Sequence, residues 1–193
     1  MFVYTSVDRH GEKSDTNPKF VPHFASKHYI ELYLKEKAEG KMTWTILRPT
    51  AFMDTLTPDF MGKGFATIIQ VGLRPSRKLA FVATSDIGFF AAQAFLQPDS
   101  PEYKRKAISL AGDELTMKEL QQVFREKQGY ELPTTYEFVG RLMKWMLTEI
   151  NVMFRWFDEE GYKVDIPNLK SMNPGLMSFG DWLEREGGFP VKK

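Results

Sequence analysis

The segment PHFASKHYIELYLKE (residues 22–36) lies between two short apolar runs, MFVYTSV (residues 1–7) and MTWTILRP (residues 42–49). The two flanking runs are rich in β-branched and aromatic residues, which is typical of buried strands. Pro22 suits the first position of a helix, and Gly40 suits the position just after its last turn. A strand, a helix and a second strand in this order predict an α/β fold with parallel strands.

The same alternation continues beyond the second strand. Two more strands are predicted at KLAFVA (residues 78–83) and KAISLAG (residues 106–112). Between them, TSDIGFFAAQAFLQ (residues 84–97) predicts a helix that Ser85 caps. Residues 54–72 are mixed and predict a short helix with flanking loops. The pattern therefore indicates a mostly parallel sheet.

The rest of the chain is dominated by helical patterns. Residues 1–112 are expected to form the second half of a Rossmann-like domain, and residues 113–193 a mostly helical lobe packed on it. In this lobe, TMKELQQVFREKQG (residues 116–129) carries a capping box, and SFGDWLEREGG (residues 178–188) predicts a last short helix.

Two further elements of the lobe follow from local composition. TTYEFV (residues 134–139) predicts a fifth strand, and residues 140–161 predict one long helix rich in methionine and aromatic residues. The apolar side chains of this helix are expected to form the core of the lobe. They include Trp145, Met146 and Trp156.

Composition and charge exclude several functions. The 193 residues contain no cysteine, which excludes disulfides, thiolate metal sites and a cysteine nucleophile. A net charge of +1 gives no basic footprint for nucleic acid. Of the three histidines, His10 and His28 are expected to be solvated, and no metal site is predicted. No run approaches the length that spans a bilayer, and no signal peptide is recognised, so a cytoplasmic or nuclear location is expected.

The helix at residues 22–36 carries an unusual stripe. At 100° per residue, His23, Lys27, Ile30, Leu34 and Ala38 fall on one side, which predicts that this side faces the core. Lys27 can extend its methylenes over the core and keep its ammonium group in water. Alternatively, it lines a cleft and donates hydrogen bonds to the hydroxyls of a ligand.

The ends of the first two strands are the predicted binding edge, because ligands of open α/β sheets bind outside the carboxyl ends of the strands. Ser6 could instead have a hydroxyl that is bonded within the protein, and Phe52 could instead pack in the ordinary way against its neighbours. With the Lys27 helix between them in sequence, the two strand ends are expected to border one site. Its candidate residues are Thr5, Ser6, Val7, Pro49, Thr50, Ala51 and Phe52.

Phosphate-binding and hydrolase motifs are absent from the sequence. It contains no G-x-G-x-x-G, no G-x-x-x-x-G-K-[ST] and no G-x-S-x-G. Gly62-Lys63-Gly64 is the nearest approach, and a flexible loop is the expected explanation for these glycines.

Six segments in order resemble a known family: FVYTSVDR, PHFASKHYIELYLKE, TWTILRPTAFMDTL, VATSDIGFFAAQAF, LAGDELTMKELQQVF and NVMFRWFDEEGYKVDIPNLKSMNPGLMSFGDWL. Together they are similar to the C-terminal portion of the NmrA-like family of atypical short-chain dehydrogenases, which includes HSCARG-like NADPH sensors. The resemblance covers essentially the whole chain.

The resemblance implies an NADP site and assigns roles to particular residues. Lys27 would bond the nicotinamide ribose, and Thr5 and Ser6 would supply strand-end hydroxyls. Residues 49–52 would lie along the nicotinamide. The substrate-side loop would begin with Asp54 and Leu56.

Two departures from the family pattern bear on catalysis. Carbonyl-reducing relatives have a tyrosine four residues before the helix lysine as proton donor, whereas His23 occupies that position here. The family also begins with a strand and a glycine-rich loop that receives the pyrophosphate, and no counterpart precedes FVYTSV. Weak NADP binding and a truncated chain are therefore expected, and the family resemblance leaves enzymatic activity open.

Three functions remain open from the sequence. The preferred hypothesis is an NADP-associated, redox-sensing regulator, with Lys27 and His23 as the candidate catalytic pair if turnover occurs. The second is an NAD(P)H-dependent reductase of a small aromatic or quinone-like substrate. The third is a non-enzymatic interaction module, in which the exposed strand at residues 2–7 pairs with a second copy or a partner protein.

Overall fold

The computed structural model describes residues 1–17, 21–146 and 148–190. The described strands are β1 (Phe2–Thr5), β2 (Trp44–Pro49), β3 (Ala51–Phe52), β4 (Leu79–Val82), β5 (Lys106–Leu110) and β6 (Asp113–Leu115). The described α-helices are α1 (Pro22–Ala38), α2 (Phe60–Gly72), α3 (Thr84–Leu96), α4 (Met117–Gln128), α5 (Glu137–Met146), α6 (Thr148–Glu159), α7 (Ile166–Met172) and α8 (Phe179–Arg185). Short 3-10 turns cover Gly11–Asp15 and Met53–Thr55.

The strands form two three-stranded sheets. In the first, the order is β1-β2-β5 and all pairs are parallel. In the second, β3 pairs in parallel with β4, and β4 pairs antiparallel with β6. The predicted α/β fold with a parallel sheet is confirmed. The predicted boundary at residue 112 stays a prediction, and β6 begins directly after it.

The chain passes between the two sheets at two neighbouring points. Thr50 separates β2 from β3, and both its amide and its hydroxyl donate to the carbonyl of Leu110, at 3.1 Å each. Ala111 and Gly112 separate β5 from β6, and the amide of Gly112 donates to the carbonyl of Phe81 at 2.7 Å. These bonds join the sheets at the carboxyl ends of β2 and β5.

Two apolar clusters fill the space between the sheets and helices. One lies beside α3 and centres on Leu47, Phe90 and Leu110, each 0% exposed. The larger cluster unites residues of α1, α2, α4, α6 and α8 around Phe24 and Phe124. Burial of such side chains stabilises the fold by about 1.5–3 kcal/mol each.

The helix ends follow their local sequence signals. Thr116 and Glu119 form the predicted capping box of α4, and Gly129 ends that helix with φ 79°. Ser178 caps α8 and forms a second capping box with Asp181. The capping box of α4 and its glycine end depend on residues within a few positions of each other, and the sequence predicts them correctly.

The prediction for the buried side of α1 is wrong. The buried residues of this helix are Phe24, His28, Glu31 and Ala38. Of the predicted stripe, His23 and Ile30 are exposed and Lys27 and Leu34 are half-buried. The helix is thus rotated so that a carboxylate and an imidazole face inward, and partners from elsewhere in the chain accommodate them.

The structure also corrects two elements of the lobe. Residues 134–136 are not a strand, and α5 begins at Glu137. The long helix predicted over residues 140–161 corresponds to helical residues Glu137–Met146 and Thr148–Glu159 in the described part of the chain. Phe154, Trp156 and Phe157 are buried as expected, but Trp145 and Met146 are 80% and 65% exposed and do not belong to the core.

Two local predictions around α2 and α3 are wrong as well. Ala83 is the N-cap of α3, and the hydroxyl of Ser85 bonds to Glu186 instead of the helix backbone. Gly62 belongs to α2, a full 13-residue helix, and not to a flexible loop. A Cβ at Gly62 would lie 2.1 Å from the carbonyl oxygen of Thr57, so a close backbone contact explains this glycine.

None of the helices in the described residues has the length and apolar character that crossing a membrane requires.

Two glycines give a matched test of the packing. At Gly112, an added Cβ would lie 1.9 Å from the carbonyl oxygen of Met177, so Gly112→Ala is expected to destabilise the protein by about 2 kcal/mol or more. At Gly88, inside α3, nothing lies within 4 Å of an added Cβ, so Gly88→Ala should stabilise by about 0.5–1 kcal/mol. Urea unfolding measures both, and equal effects would contradict the described packing.

Candidate functional site

The carboxyl ends of β1 and β2 meet at one edge of the first sheet. Thr5 is paired with Leu47 in the parallel register. Beyond the paired residues, the amide of Ser6 donates to the carbonyl of Leu47 at 2.7 Å, and that of Asp8 to the carbonyl of Pro49 at 3.0 Å. The two predicted strand-end segments are therefore side by side.

Lys27 reaches this edge from α1. Its Nζ donates a hydrogen bond to the carbonyl oxygen of Thr5 at 2.9 Å and lies 5.1 Å from the centre of the Tyr4 ring. Both contacts suit an ammonium group, because a carbonyl oxygen and the face of an aromatic ring are negative. The side chain is half-buried and bridges the helix to the end of β1.

His23 is one turn before Lys27 and is directed to a different partner. Its Nδ1 lies 2.6 Å from Oε1 of Glu149 in α6, and its amide donates to the same oxygen at 3.2 Å. The two side chains are 46% and 49% exposed. The contact holds the start of α1 against the start of α6. Bonding to His23 lowers the pKa of Glu149.

Two hydroxyls among the predicted cofactor-binding residues have partners within the protein. The hydroxyl of Ser6 donates to Glu31, and that of Thr50 donates to the carbonyl of Leu110. Pro49 and Ala51 are buried, and the carbonyl of Val7 accepts a bond from Arg9. The structure brings these residues to one edge but leaves their polar groups engaged.

Four of the predicted cofactor-binding residues are not buried, and three of these have a polar, charged or aromatic side chain. Thr5 is exposed, Lys27 is half-buried, and Phe52 is 37% exposed. In the substrate-side loop, Asp54 accepts bonds from the amide and hydroxyl of Thr84, while Leu56 is buried. An ammonium group, a hydroxyl and an aromatic ring are thus the groups that this edge can offer to a ligand.

Sequence analysis missed a buried ionic cluster behind this edge. Glu31 is 1% exposed and lies between Arg9 and Arg48, which are 0% and 2% exposed. The carboxylate accepts two bonds from Arg48, at 3.1 and 2.5 Å, and lies 3.0 Å from Nη2 of Arg9. The hydroxyl of Ser6 donates a further hydrogen bond to the same carboxylate.

The charges of this cluster determine its protonation. Burial alone would raise the pKa of Glu31, but the hydrogen bonds and charges of Arg48 and Arg9 hold it below its usual value. Asp15 accepts a second bond from Arg48 at 2.8 Å and one from Lys35 at 2.6 Å. The cluster therefore contains carboxylates for both guanidinium groups.

His28 lies beside this cluster and is 6% exposed, so the expectation of a solvated histidine is wrong. Burial lowers its pKa, and the charge of Arg9 adds to that shift. A neutral imidazole avoids a further buried positive charge next to two guanidinium groups.

A second carboxylate, Asp8, organises the loop that follows β1. It is 0% exposed and accepts bonds from the amides of His10, Gly11 and Lys163 and from the hydroxyl of Ser109, at 2.6–3.1 Å. His10 adopts φ 82° and bonds through Nδ1 to the carbonyl of Gly161. His10 was also expected to be solvated, and this contact corrects that expectation.

The sequence contains only a weak signal for the buried Glu31 and its arginine partner. Glu31 falls on the same side of α1 as Phe24, and an acidic residue among buried positions indicates a buried partner. The sequence does not show which arginine supplies it, because Arg48 is 17 positions away and hydrophobic periodicity does not indicate a contact over that distance. Among the described residues, no group of three His, Cys, Asp or Glu side chains is arranged to hold a metal ion.

Comparison with known proteins identifies the family. The model of the NmrA-like family matches residues 1–180, so the chain belongs to this family. No curated protein sequence matches the chain.

Solved structures of similar fold have low sequence identity to the chain. NmrA, a negative transcriptional regulator solved in complex with NADP, is 14% identical with a TM-score of 0.64, and the match covers 96% of this chain and 63% of that one. A nucleoside-diphosphate-sugar epimerase from Staphylococcus aureus is 14% identical with a TM-score of 0.60, over 95% and 64% of the two chains. Isoflavone reductase is 20% identical with a TM-score of 0.52, over 84% and 57%. The chain spans less than two thirds of each of these proteins.

The ionic cluster predicts a large, pH-dependent effect of one substitution. Glu31→Gln leaves the buried guanidinium of Arg9 without its carboxylate and that of Arg48 with Asp15 alone, and should destabilise the protein by about 3–5 kcal/mol at pH 7. The folded pKa of Glu31 is lowered, so its stabilisation is complete above the ordinary glutamate pKa of about 4.3 and is lost as the pH falls through the folded value. The difference between the two proteins should therefore shrink below about pH 4.3.

Chemical unfolding between pH 3 and pH 7 measures this difference. Glu36→Gln on the exposed side of α1 is the matched control, since its ion pair with Lys37 is solvated and should contribute less than about 1 kcal/mol. A similar loss in both variants would show that the buried cluster contributes no special stability.

Proposed function

We propose that this member of the NmrA-like family is an NAD(P)-associated, redox-sensing regulator that presents Lys27 to the nicotinamide half of the dinucleotide. The observation that carries the proposal is the bond from Lys27 to the carbonyl of Thr5, which holds the ammonium group at the carboxyl ends of β1 and β2. This is the edge at which open α/β sheets bind ligands. The NADP complex of NmrA, a protein of similar fold, adds support.

The accessible groups at the edge fit one part of a dinucleotide. An ammonium group has three N–H donors, and the bond to Thr5 uses one of them, which leaves two for ribose hydroxyls. Phe52 offers an aromatic face for a planar ring. Because the hydroxyls of Ser6 and Thr50 are engaged, these residues would shape the site without donating to the ligand. When bound, the nicotinamide supplies the redox state that is sensed.

Regulation is favoured over turnover because the edge lacks a suitable proton donor. His23 stands where reductases of this class have their tyrosine, and it is tied to Glu149. Tyr4 is the phenol next to Lys27, but burial raises its pKa and the charge of Glu31 adds to the shift. A reductase instead needs a phenol whose pKa is lowered.

Cofactor binding by the 193-residue chain is expected to be weak. The sequence contains no glycine-rich phosphate loop, and each charged hydrogen bond lost with such a loop costs about 1.5–3 kcal/mol. Micromolar binding corresponds to about −8 kcal/mol, so the loss of several such bonds leaves dissociation constants in the millimolar range. NADP is proposed ahead of NAD by family resemblance alone, because NmrA has been solved with each of the two dinucleotides.

A ligand that consists only of the nicotinamide half of the dinucleotide tests the role of Lys27. Reduced nicotinamide mononucleotide, titrated by its own fluorescence, should bind with a dissociation constant of about 1 mM or weaker. Lys27→Ala should weaken it about tenfold, since one charge-assisted bond contributes about 1.5–3 kcal/mol. Lys37→Ala, on the same helix and beside Tyr33, is the matched control and should bind like the unchanged protein. Identical curves for all three proteins would refute the assignment.

The second candidate is a reductase of a small aromatic or quinone-like substrate. Phe52, which is 37% exposed, and Phe60 and Met61 at the start of α2, which are 63% and 67% exposed, favour an apolar substrate. Continuous NADPH oxidation with a panel of quinones, lost in Lys27→Ala, would support this candidate. Binding without turnover would support the sensor.

The third candidate is association through β1. No strand in the described residues pairs with the outer edge of β1, and Phe2 on this strand is 47% exposed. An uncovered apolar edge favours pairing with another chain, either a second copy or a partner protein.

Light scattering after size exclusion tests this candidate. We expect association of the protein at micromolar concentrations, and Phe2→Lys should shift it toward the monomer, because a charge on an edge strand opposes pairing. Lys118→Glu, a charge change at an exposed lysine of α4, serves as the control. A monomer at all concentrations would exclude pairing between copies.

A further inference from the structure

The outer side of α5 carries a stripe of large apolar side chains. Phe138, Leu142, Trp145 and Met146 follow the i, i+4, i+7 and i+8 spacing of one helix face, and Tyr136 stacks on Phe138 with 5.8 Å between the ring centres. These five residues form what we call the α5 stripe, and each is between 47% and 80% exposed. A monomeric protein seldom leaves so many large apolar side chains together on its surface.

The opposite side of α5 is fixed to the rest of the protein. At 100° per residue, Gly140 lies half a helical turn from the stripe, and an added Cβ there would lie 2.9 Å from Cγ2 of Thr67 and 3.3 Å from Cγ2 of Val71 in α2. The amide of Thr135 donates to the hydroxyl of Thr67 at 2.8 Å, just before the helix begins. The stripe therefore points away from α2, and a rotation of α5 that buried it would break the close contact at Gly140.

The exposed area of the α5 stripe is close to what a protein interface needs. With about 200 Å² for each fully exposed side chain of this size, the stripe exposes roughly 650 Å². An ordinary interface buries about 800 Å² of each partner. Glu137 and Arg141, beside the stripe, are exposed as well and would supply the rim. Aromatic residues, methionine and arginine are also the types that interfaces favour.

The spacing within the stripe suits a second copy of this chain. Phe138 lies four residues before Leu142, and Met146 lies four residues after it. When two α5 helices pack antiparallel across a two-fold axis at Leu142, each Leu142 meets its counterpart and each Phe138 meets Met146 of the other copy. Contact between a methionine sulfur and an aromatic ring is favourable. The stripe is thus complementary to itself.

The charges of α5 favour a protein partner over a membrane surface. The helix sequence has two basic residues and one acidic residue, and Nη2 of Arg141 lies 3.2 Å from Oε2 of Glu137. A helix that lies on anionic lipid instead has a polar face rich in lysine and arginine. The largely compensated charge beside the stripe therefore favours contact with another α5.

We propose that the α5 stripe is a dimer interface, in which α5 of one copy packs antiparallel on α5 of a second copy around Leu142. Trp145 and Phe138 are its aromatic anchors, and the exposed ion pair at the start of α5 forms its rim. The interface involves neither the Lys27 edge nor β1, so it does not rest on the proposed function.

Sedimentation velocity of the Phe2→Lys protein tests the proposal, because this change opposes pairing through β1 and leaves α5 as it is. The protein should form a dimer at micromolar concentrations. Adding Leu142→Lys should give a monomer, since two like charges would meet at the axis. Adding Trp145→Ala should weaken the dimer at least about tenfold, as expected for an aromatic anchor.

A matched control separates the stripe from a general effect of added charge. Leu96→Lys is the same change at a 74% exposed position of α3, and in the Phe2→Lys background it should remain dimeric. Far-UV circular dichroism spectra that match across all variants show that each of them is folded.

Cross-linking locates the two-fold axis. The chain contains no cysteine, so Leu142→Cys introduces a single thiol. A bismaleimide that spans roughly 8 Å, the lower end of the distance between packed helix axes, should join two copies of this variant. Leu96→Cys should give much less of the linked dimer.

Three results would overturn the proposal: a monomeric Phe2→Lys protein at every concentration, an unchanged dimer after Leu142→Lys, or equal cross-linking of the two cysteine variants. Sedimentation with vesicles of phosphatidylcholine and phosphatidylserine examines the other occupant. If the Phe2→Lys protein is monomeric and sediments with these vesicles, and Leu142→Lys abolishes this, the stripe binds lipid and the dimer is excluded.

Discussion

The carboxylate of Glu31, enclosed by the guanidinium groups of Arg9 and Arg48, is the interaction on which the sheet edge depends. It joins the loop after β1, the middle of α1 and the end of β2, three segments that are distant in sequence. Removing such charges from water is costly, and only a closely paired geometry offsets that cost. Because Glu31 must face inward, the rotation of α1 is fixed, and Lys27, one turn earlier, is thereby directed toward β1.

Two buried carboxylates, Glu31 and Asp8, bind different groups at the ends of the strands. Glu31 accepts a hydrogen bond from the hydroxyl of Ser6. Asp8 accepts hydrogen bonds from the amides of the following turn and from the hydroxyl of Ser109. The loop after β1 is therefore shaped by polar contacts within the protein and not by apolar packing. A consequence for ligand binding is that few polar groups remain free at this edge, and the side chain of Lys27 is the main charged one.

What the sequence predicts correctly is local. The capping box of Thr116 and Glu119 and the parallel strands flanking α1 depend on short patterns, and they are confirmed. The buried side of α1 depends instead on Arg48, 17 positions away, and hydrophobic periodicity cannot include such a partner. Likewise, α5 is a helix despite its strand-like start, because Gly140 permits close packing against Thr67 of α2.

The contrast between two lysines of α1 explains why the edge keeps a positive charge. Lys35 pairs with Asp15 at 2.6 Å, so its field is largely cancelled. Lys27 has a carbonyl oxygen and an aromatic ring as partners, both neutral, and no carboxylate among the described side chains is within ion-pair distance. A neutral partner orients an ammonium group without removing its charge. The same helix therefore carries one lysine used for stability and one whose potential remains available to an electron-rich ligand at the strand ends.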